Sequence, residues 1–221
     1  NSLIDKIHKL MLTTTTNNLQ GKPTDTPVWE KNGWVGDLNV ASETMMFNHD
    51  MSNFLKYFEE TLNDVQTAEG WVEVIAPNAG WSWGDNVVWN SVYILMLEDM
   101  YNTYGNRSLI ESQYARIKKQ IDYQISKSKN QNGWTWNAGE VGDWVSPMGG
   151  TDPNVGYSEP ASEGSAIVGT GYFYLSLQTM AKFADMMGRR DDAADYRSAM
   201  DNVAEAFNSK YLKQDAATGA Y

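Results

Sequence analysis

The sequence of 221 residues predicts an all-α protein built from antiparallel helical hairpins. Apolar residues recur every three or four positions through most of the chain, which is the spacing of one helix face. Only one run, WVEVIAP, alternates like a strand, and Pro77 ends it. Two long segments share a hairpin layout, and a repeated hairpin is typical of stacked or toroidal helices.

Three helices are predicted in the first half of the chain. The segment LIDKIHKLMLTTTTNNL has apolar residues on one face at Leu3, Ile7, Leu10 and Met11. The segment MSNFLKYFEETLNDVQ has them at Phe54, Leu55, Phe58, Leu62 and Val65. The segment NVVWNSVYILMLEDMYNTYG has them at Val88, Val92, Leu95, Met96 and Met100. Glycine is a common helix terminator, so the third helix is predicted to end at Gly105.

Three further helices complete the prediction. The segment SLIESQYARIKKQIDYQI has apolar positions at Leu109, Ile110, Tyr114, Ile117, Ile121 and Ile125. AIVGTGYFYLSLQTMAKFADMMG is apolar on more than one face, and DDAADYRSAMDNVAEAFNSKYL follows it. In the two similar hairpins a glycine, an arginine and a tyrosine recur in the same order, at Gly105, Arg107, Tyr114 and at Gly188, Arg190, Tyr196. We expect the methionine and aromatic stripes of these helices to fill the core rather than to bind a cofactor.

The composition excludes several classes of function. A net charge of -11 argues against a nucleic-acid partner and against an anionic membrane surface, because both attract basic proteins. The chain has no cysteine, so disulfides and thiolate metal sites are excluded. No signal peptide and no apolar run of membrane-span length is visible, and the absence of cysteine suits both the cytosol and the exterior. The compartment therefore stays open.

The tryptophans concentrate in three glycine-rich segments, VWEKNGW, GWVEVIAPNAGWSWGDNVVW and NGWTWNAGEVGDW. These belong to long loops at 18–37, 67–85 and 129–164. Indoles on such loops favour a cleft in which a flat apolar surface stacks on a ligand, and the C–H faces of sugar rings suit that surface. The alternative is that the indoles only plug the loop ends of the core.

The candidate chemistry is that of carboxylates. The sequence has no metalloprotease, phosphate-binding or dinucleotide-binding motif. The stretch 152–163 has spacings loosely like a calcium loop, but Tyr157 stands where the turn glycine belongs. What remains is Asp25, Glu30 and Asp37, and the glycines and prolines between them permit the three side chains to converge. The alternative is a solvated acidic loop in which Asp37 is the N-cap of the next helix.

This stretch, KPTDTPVWEKNGWVGD, resembles the signature of the family-78 α-L-rhamnosidases, which runs Pro-x-Asp-Cys-Pro, a short gap, then Glu-x-x-Gly-Trp-x-Gly-Asp. The matching residues are Pro23, Asp25, Pro27, Glu30, Gly33, Trp34, Gly36 and Asp37. The similarity continues through WGDNVVW, YGNRSLIESQYARIKKQIDY, GDWV and GRRDDAADYRSAM, and so covers nearly the whole chain. It implies an α/α toroid, the (α/α)6 barrel, in which residues 1–221 are about the first half of a single catalytic domain and the three loops face the substrate.

The resemblance also implies a mechanism and a set of site residues. The family hydrolyses terminal α-L-rhamnosides with inversion and needs no metal or organic cofactor. Glu30 would be the general acid, and Asp25 and Asp37 would hold sugar hydroxyls and tune the acid. The substrate-binding residues would be Trp34, Trp83, Asp85 and Trp144.

Two departures and one absence qualify the match. Thr26 replaces the usual cysteine, and Trp29 stands where the family commonly has a charged residue, often arginine. The first change is mild, and the second bears on substrate range more than on mechanism. The family's second catalytic glutamate is expected beyond Tyr221, in the remainder of the same polypeptide, so residues 1–221 alone are expected to be inactive. Glu140, Glu159 and Glu163 are loop acids to which the resemblance assigns no role.

Two other functions remain open. One is a different α/α-barrel glycoside hydrolase, or one specific for another uncharged sugar. The other is a carbohydrate-binding protein that kept the pocket and lost the base. A further set of helices with a glutamate in an aromatic loop beyond Tyr221 would favour the enzyme.

Overall fold

The computed structural model describes residues 1–78, 80, 84–136, 165–214 and 218–219. The regular structure of these residues is entirely α-helical, which confirms the predicted fold class. The helices are α1 Ser2–Asn17, α2 Val35–Asn48, α3 Ser52–Asp64, α4 Val87–Asn90, α5 Val92–Tyr104, α6 Arg107–Asn132, α7 Ser165–Met186 and α8 Arg190–Tyr211. None of the described helices has the length and apolarity needed to cross a membrane.

The hairpin layout is confirmed at both predicted turns. Gly105 and Gly188 each have φ 69°, a left-handed conformation that glycine adopts without steric cost. The N–H of Gly105 donates to the carbonyl of Tyr101 at 2.8 Å and closes the last turn of α5. Tyr114 and Tyr196, the tyrosines of the repeated layout, are both buried.

The third predicted helix is divided in two at Ser91. A buried Ser91 follows α4, and its Oγ accepts a hydrogen bond of 3.0 Å from Nδ2 of Asn39, a residue of α2. Leu95, which was predicted on the apolar face, is only half-buried. Tyr93, Ile94 and Leu97 are buried instead, so α5 is covered on most of its circumference and has no narrow apolar stripe.

The alternating run WVEVIAP does not form a strand. Trp34 and Ile75 make an isolated antiparallel bridge, and the N–H of Val35 donates to the carbonyl of Val74 at 3.0 Å. The pairing of this run with residues 33–35 is too short to form a ladder. The run is nevertheless buried, so its apolar residues support the loop that carries Asp25, Glu30 and Asp37.

Helix α1 forms as predicted, but its apolar face is exposed. The exposed side chains are Leu3, Ile4, Ile7, Leu10 and Met11. Thr15, near the end of the helix, is its one buried residue. Periodicity therefore located the helix, while the described residues leave its apolar face uncovered.

The chain forms two compact units. The first comprises Asn1–Asp85 with Trp89–Ile117, and its core includes Leu38, Leu55, Phe58, Leu62, Val92 and Met96. The second comprises Asn86–Val88 with Lys118–Tyr221, and its core includes Trp136, Phe173, Leu177, Phe183 and Tyr196. In the second unit α7 and α8 pack against each other along their length.

Candidate active site

The loop from Asp25 to Asp37, called the motif loop below, is closed by two hydrogen bonds at its neck. The N–H of Asp25 donates to the carbonyl of Asn32 at 3.0 Å, and the N–H of Asn32 donates to Oδ1 of Asp25 at 2.9 Å. Lys31 adopts a left-handed φ of 56° within the closed segment. This closure returns the chain on itself and holds the Asp25 carboxylate beside the residues that precede α2.

Two glycines of the motif loop are required by close packing. A methyl group on Gly33 would overlap the carbonyl oxygen of Ala76. The two residues are held together because the N–H of Ala76 donates a 2.9 Å hydrogen bond to the carbonyl of Gly33. A methyl group on Gly36 would overlap the indole ring of Trp89. Both contacts fix the path of the chain immediately around Trp34.

A pocket of about 300 Å3 opens beside the motif loop, between α1 and α2. Asp25, Trp34 and Asp37 all line it, together with polar residues at the end of α1 such as Thr14 and Asn18. Glu30 does not line this pocket, but Nε1 of Trp34 donates a 2.8 Å hydrogen bond to its Oε2. The structure thus brings the three sequence-predicted acids together around one indole.

The surroundings of the pocket raise the pKa of Asp37. Burial of its carboxyl, followed by repulsion from Asp25 and more weakly from Glu30, raises the pKa of Asp37 to about 6. A backbone hydrogen bond to Asp37 opposes this shift. The residue keeps substantial solvent-accessible surface, so the desolvation is that of a carboxyl at the mouth of a pocket rather than in a core.

The interpretation of Asp37 as a helix N-cap was wrong. Trp34 occupies the N-cap position of α2, and Asp37 lies within the first turn. An acidic side chain there still interacts favourably with the helix dipole. Asp37 therefore lies about one turn after the N-cap, and it lines the pocket.

The remaining predicted residues are distributed differently. Asp85 is half-buried and does not line this pocket. Trp83 and Trp144 lie outside the described residues, as do the loop acids and the calcium-like stretch at 152–163. Trp136 is buried and packs on Phe173 with a centroid separation of 5.7 Å, so this indole does plug the core. Within the described part of the chain, no group of three or more His, Asp or Glu side chains is arranged to hold a metal ion.

Sequence reasoning missed the contribution of α1 to the pocket. The polar end of that helix, TTTTNN, supplies Thr14, Thr15 and Asn18. Thr24 then donates to Oδ1 of Asn18 at 3.1 Å, which ties the start of the motif loop to the helix end. A run of hydroxyl and amide residues at a helix terminus was the available signal.

Helical hairpins that carry an acidic, indole-lined pocket on a long loop are the arrangement of the α/α-barrel glycosidases. The chain belongs to the family described as bacterial alpha-L-rhamnosidase 6 hairpin glycosidase domain, whose model matches residues 1–221. Its sequence is 27% identical over 215 residues to an alpha-L-rhamnosidase of Streptomyces avermitilis, covering 96% of this chain and 19% of the relative. It is 26% identical over 192 residues to one of Formosa agariphila, covering 86% of this chain and 20% of that relative.

Solved structures show the same relationship. The alpha-L-rhamnosidase of Dictyoglumus thermophilum superposes with a TM-score of 0.87 at 29% identity, over 97% of this chain and 23% of that one. The Streptomyces avermitilis alpha-L-rhamnosidase complexed with L-rhamnose superposes with a TM-score of 0.71 at 26% identity, over 93% of this chain and 19% of that one. The chain spans about a fifth of the length of the curated relatives it matches.

Proposed function

We propose that this chain is part of a single (α/α)6-barrel catalytic domain that hydrolyses terminal α-L-rhamnosides with inversion. The observation that carries the proposal is the convergence of Asp25 and Asp37 in one pocket, with Glu30 hydrogen-bonded to the Trp34 indole of the same pocket. The family membership and the relative solved with L-rhamnose support the choice of sugar.

In the proposed mechanism Glu30 protonates the glycosidic oxygen as the bond to the leaving group breaks. Asp25 and Asp37 accept hydrogen bonds from sugar hydroxyls, and their negative charge stabilises the oxocarbenium-like transition state. A second carboxylate, from elsewhere in the same polypeptide, activates water on the opposite face of the ring. Inverting enzymes hold the two catalytic carboxyl groups roughly 6.5–9.5 Å apart to leave room for that water.

The apolar part of the sugar would lie against indoles. Trp34 supplies one such face in the pocket, and we assign Trp83, Trp144 and Asp85 to the same substrate-binding surface on the family pattern. The loops 18–37, 67–85 and 129–164 would then form the substrate-facing side. The position of Trp29 favours a role outside the pocket, since its side chain is 79% exposed and it is not among the lining residues.

The test is Glu30→Gln in the full-length protein. Turnover of a rhamnose disaccharide should fall roughly 100- to 10,000-fold, the range for loss of a positioned general acid. The loss should be much smaller for an aryl rhamnoside with a good leaving group, because that oxygen needs little protonation. Glu205→Gln, on the exposed side of α8, is the matched control and should keep full activity.

Two outcomes would contradict the proposal. Equal losses on the disaccharide and the aryl substrate would remove Glu30 from the acid role. Binding of free rhamnose by an unmodified full-length protein that hydrolyses no rhamnoside would identify a carbohydrate-binding protein instead.

A further inference from the structure

The second compact unit contains a groove of about 610 Å3 between the second half of α6 and α8. Ligand pockets in proteins have volumes of roughly 300–1,000 Å3, so the groove is large enough for a small molecule or a short chain. Its floor includes Tyr196 and Ala199, which are buried, and the half-buried Ile125. None of its lining residues belongs to the motif loop.

Both walls of the groove carry uncharged polar side chains one helical turn apart. On α6 these are Ser126 and Asn130, and on α8 they are Ser198 and Asn202. Residues four apart on a helix are separated by about 6 Å along its axis, which is close to the length of one sugar ring. Hydroxyl and amide groups both donate and accept, as sugar hydroxyls do.

The described residues that line the groove carry no surplus positive charge. Lys118 is neutralised by Asp122 at 3.0 Å and by Asp192 at 3.4 Å, and its Nζ also lies 3.2 Å from the hydroxyl of Tyr196. The other lining lysine, Lys129, is balanced in number by Asp195. A phosphate, a sulfate or an acidic polymer would find no cationic site here, so the lining suits a neutral polar ligand.

Trp134 also lines the groove, in a left-handed conformation just after the end of α6. Its φ is 68°, and the preceding residue, Gly133, has a φ of 57°. The N–H of Trp134 donates a 3.1 Å hydrogen bond to the carbonyl of Ser128 and so closes the end of α6. Large side chains rarely occupy this left-handed region, and such residues concentrate at functional sites. Unlike the buried Trp136, the Trp134 ring stays partly exposed, with Nζ of Lys129 5.9 Å from its centroid.

We propose that this groove is a second carbohydrate-binding site, which takes a chain of neutral sugars. Trp134 supplies the flat apolar surface, and the four serine and asparagine side chains supply hydrogen bonds along two successive rings. The choice of a carbohydrate over another neutral ligand rests on the proposed function, whereas the site itself rests on the groove.

The experiment measures binding of a neutral rhamnose tetrasaccharide by isothermal titration calorimetry. It uses the full-length protein with Glu30→Gln, which slows turnover, and with Trp34→Ala, which weakens sugar binding in the motif-loop pocket. Adding Trp134→Gly should weaken the remaining binding roughly tenfold, since one stacking surface is lost. Glycine adopts a positive φ freely, so this change removes the ring without adding backbone strain. Adding Ser198→Phe instead, which fills the groove, should abolish that binding.

The control is Ser209→Phe, an equal change at an exposed position of α8 outside the groove, and it should not alter affinity. Unchanged affinity in both groove variants would overturn the proposal, as would tighter binding of a galacturonic acid tetrasaccharide than of the neutral one. If the groove variants lose tetrasaccharide binding while the unmodified full-length protein hydrolyses no rhamnoside, the groove proposal stands and the proposed function falls.

Discussion

The indole Nε1 of Trp34 donates a hydrogen bond of 2.8 Å to Oε2 of Glu30, and the same indole lines the pocket that contains Asp25 and Asp37. One side chain therefore orients the proposed acid and forms part of the proposed sugar-binding wall. The backbone of Trp34 is itself held, because this residue bridges to Ile75 and begins α2.

The two roles of Trp34 can be separated by two substitutions. Trp34→Phe keeps an aromatic face but loses the N–H, so kcat on a rhamnose disaccharide should fall roughly tenfold or more while KM changes little. Trp34→Ala loses both and should also raise KM for the sugar. Steady-state kinetics of the full-length protein measure the split. Wild-type kcat in the Phe variant would show that the hydrogen bond does not position Glu30.

The titration of Asp37 predicts a gain in stability from Asp37→Asn. Its pKa rises from 3.8 in the unfolded chain to about 6 in the folded protein, so the folded state binds the proton more tightly. Stability is therefore lost as pH rises from about 4 through 6, and the loss is complete above that range. The asparagine variant cannot ionise, so it should be more stable than the parent at pH 8 and equal to it below pH 4.

Urea unfolding at these two pH values measures the difference. The unfolding free energy of the variant must be compared with that of the parent at each pH. Burial and the neighbouring Glu43 raise the pKa of Asp99 to about 6 as well, so both proteins share that pH dependence. In the full-length protein the same variant should lose the proposed rhamnosidase activity, since it removes the charge of a proposed substrate-binding carboxylate. A parent that is the more stable at pH 8 would show that ionised Asp37 has a favourable partner.

The helices and the acidic loop were predictable from sequence because their signals are local. Apolar spacing located α1, α3 and the later helices, and glycine after the last turn marked the ends at Gly105 and Gly188. Clustering of the motif-loop acids was expected because glycine and proline between them permit the chain to fold back. These features depend on residues close together in the chain.

The features that sequence did not predict depend on distant residues. The break at Ser91 accompanies a hydrogen bond from Asn39, and the burial of α5 on most sides depends on what surrounds it. Apolar residues show little helical spacing in α2, so this helix was expected only from a possible N-cap at Asp37. The N-cap in the structure is Trp34. Exposure of the α1 face is likewise invisible to periodicity, which reports amphipathicity but not the presence of a partner.

The motif-loop glycines predict a graded loss of stability. Gly36→Ala would push a methyl group into the Trp89 ring and should cost about 1–3 kcal/mol, the usual range for overpacking. Gly33→Ala should cost more, because the obstacle is the backbone carbonyl of Ala76, which cannot rotate away. Gly171→Ala is the control. It lies in α7 with no atom in the way, and helix propensity predicts a gain of roughly 0.5–1 kcal/mol. Equal stability of all three variants would refute this packing account.

Glu59 predicts a second dependence of stability on pH. Its side chain is fully buried on α3, neither carboxyl oxygen has a hydrogen-bond partner, and desolvation together with Glu60 raises its pKa well above the usual 4.5. Folding then takes up a proton, so the unfolding free energy should fall as the pH rises above the unfolded pKa. Glu59→Gln should remove one proton's share of this slope at pH values just above the unfolded pKa, whereas Glu205→Gln should not. An unchanged slope would mean that Glu59 ionises in the folded protein.

The exposed face of α1 predicts association of residues 1–221 produced alone. Leu3, Ile7 and Leu10 are 64%, 53% and 66% exposed, and with Ile4 and Met11 they form a continuous apolar stripe. Burial of such a surface is favourable, so the chain should form dimers or larger species at micromolar concentration.

The double variant Ile7→Lys with Leu10→Lys should restore a monomer, as measured by sedimentation velocity, because paired charges in the stripe oppose contact between copies. Tyr57→Lys with Phe47→Lys adds the same charge at other exposed apolar positions and should leave association unchanged. A monomeric parent at all concentrations would show that the stripe is too small to drive association.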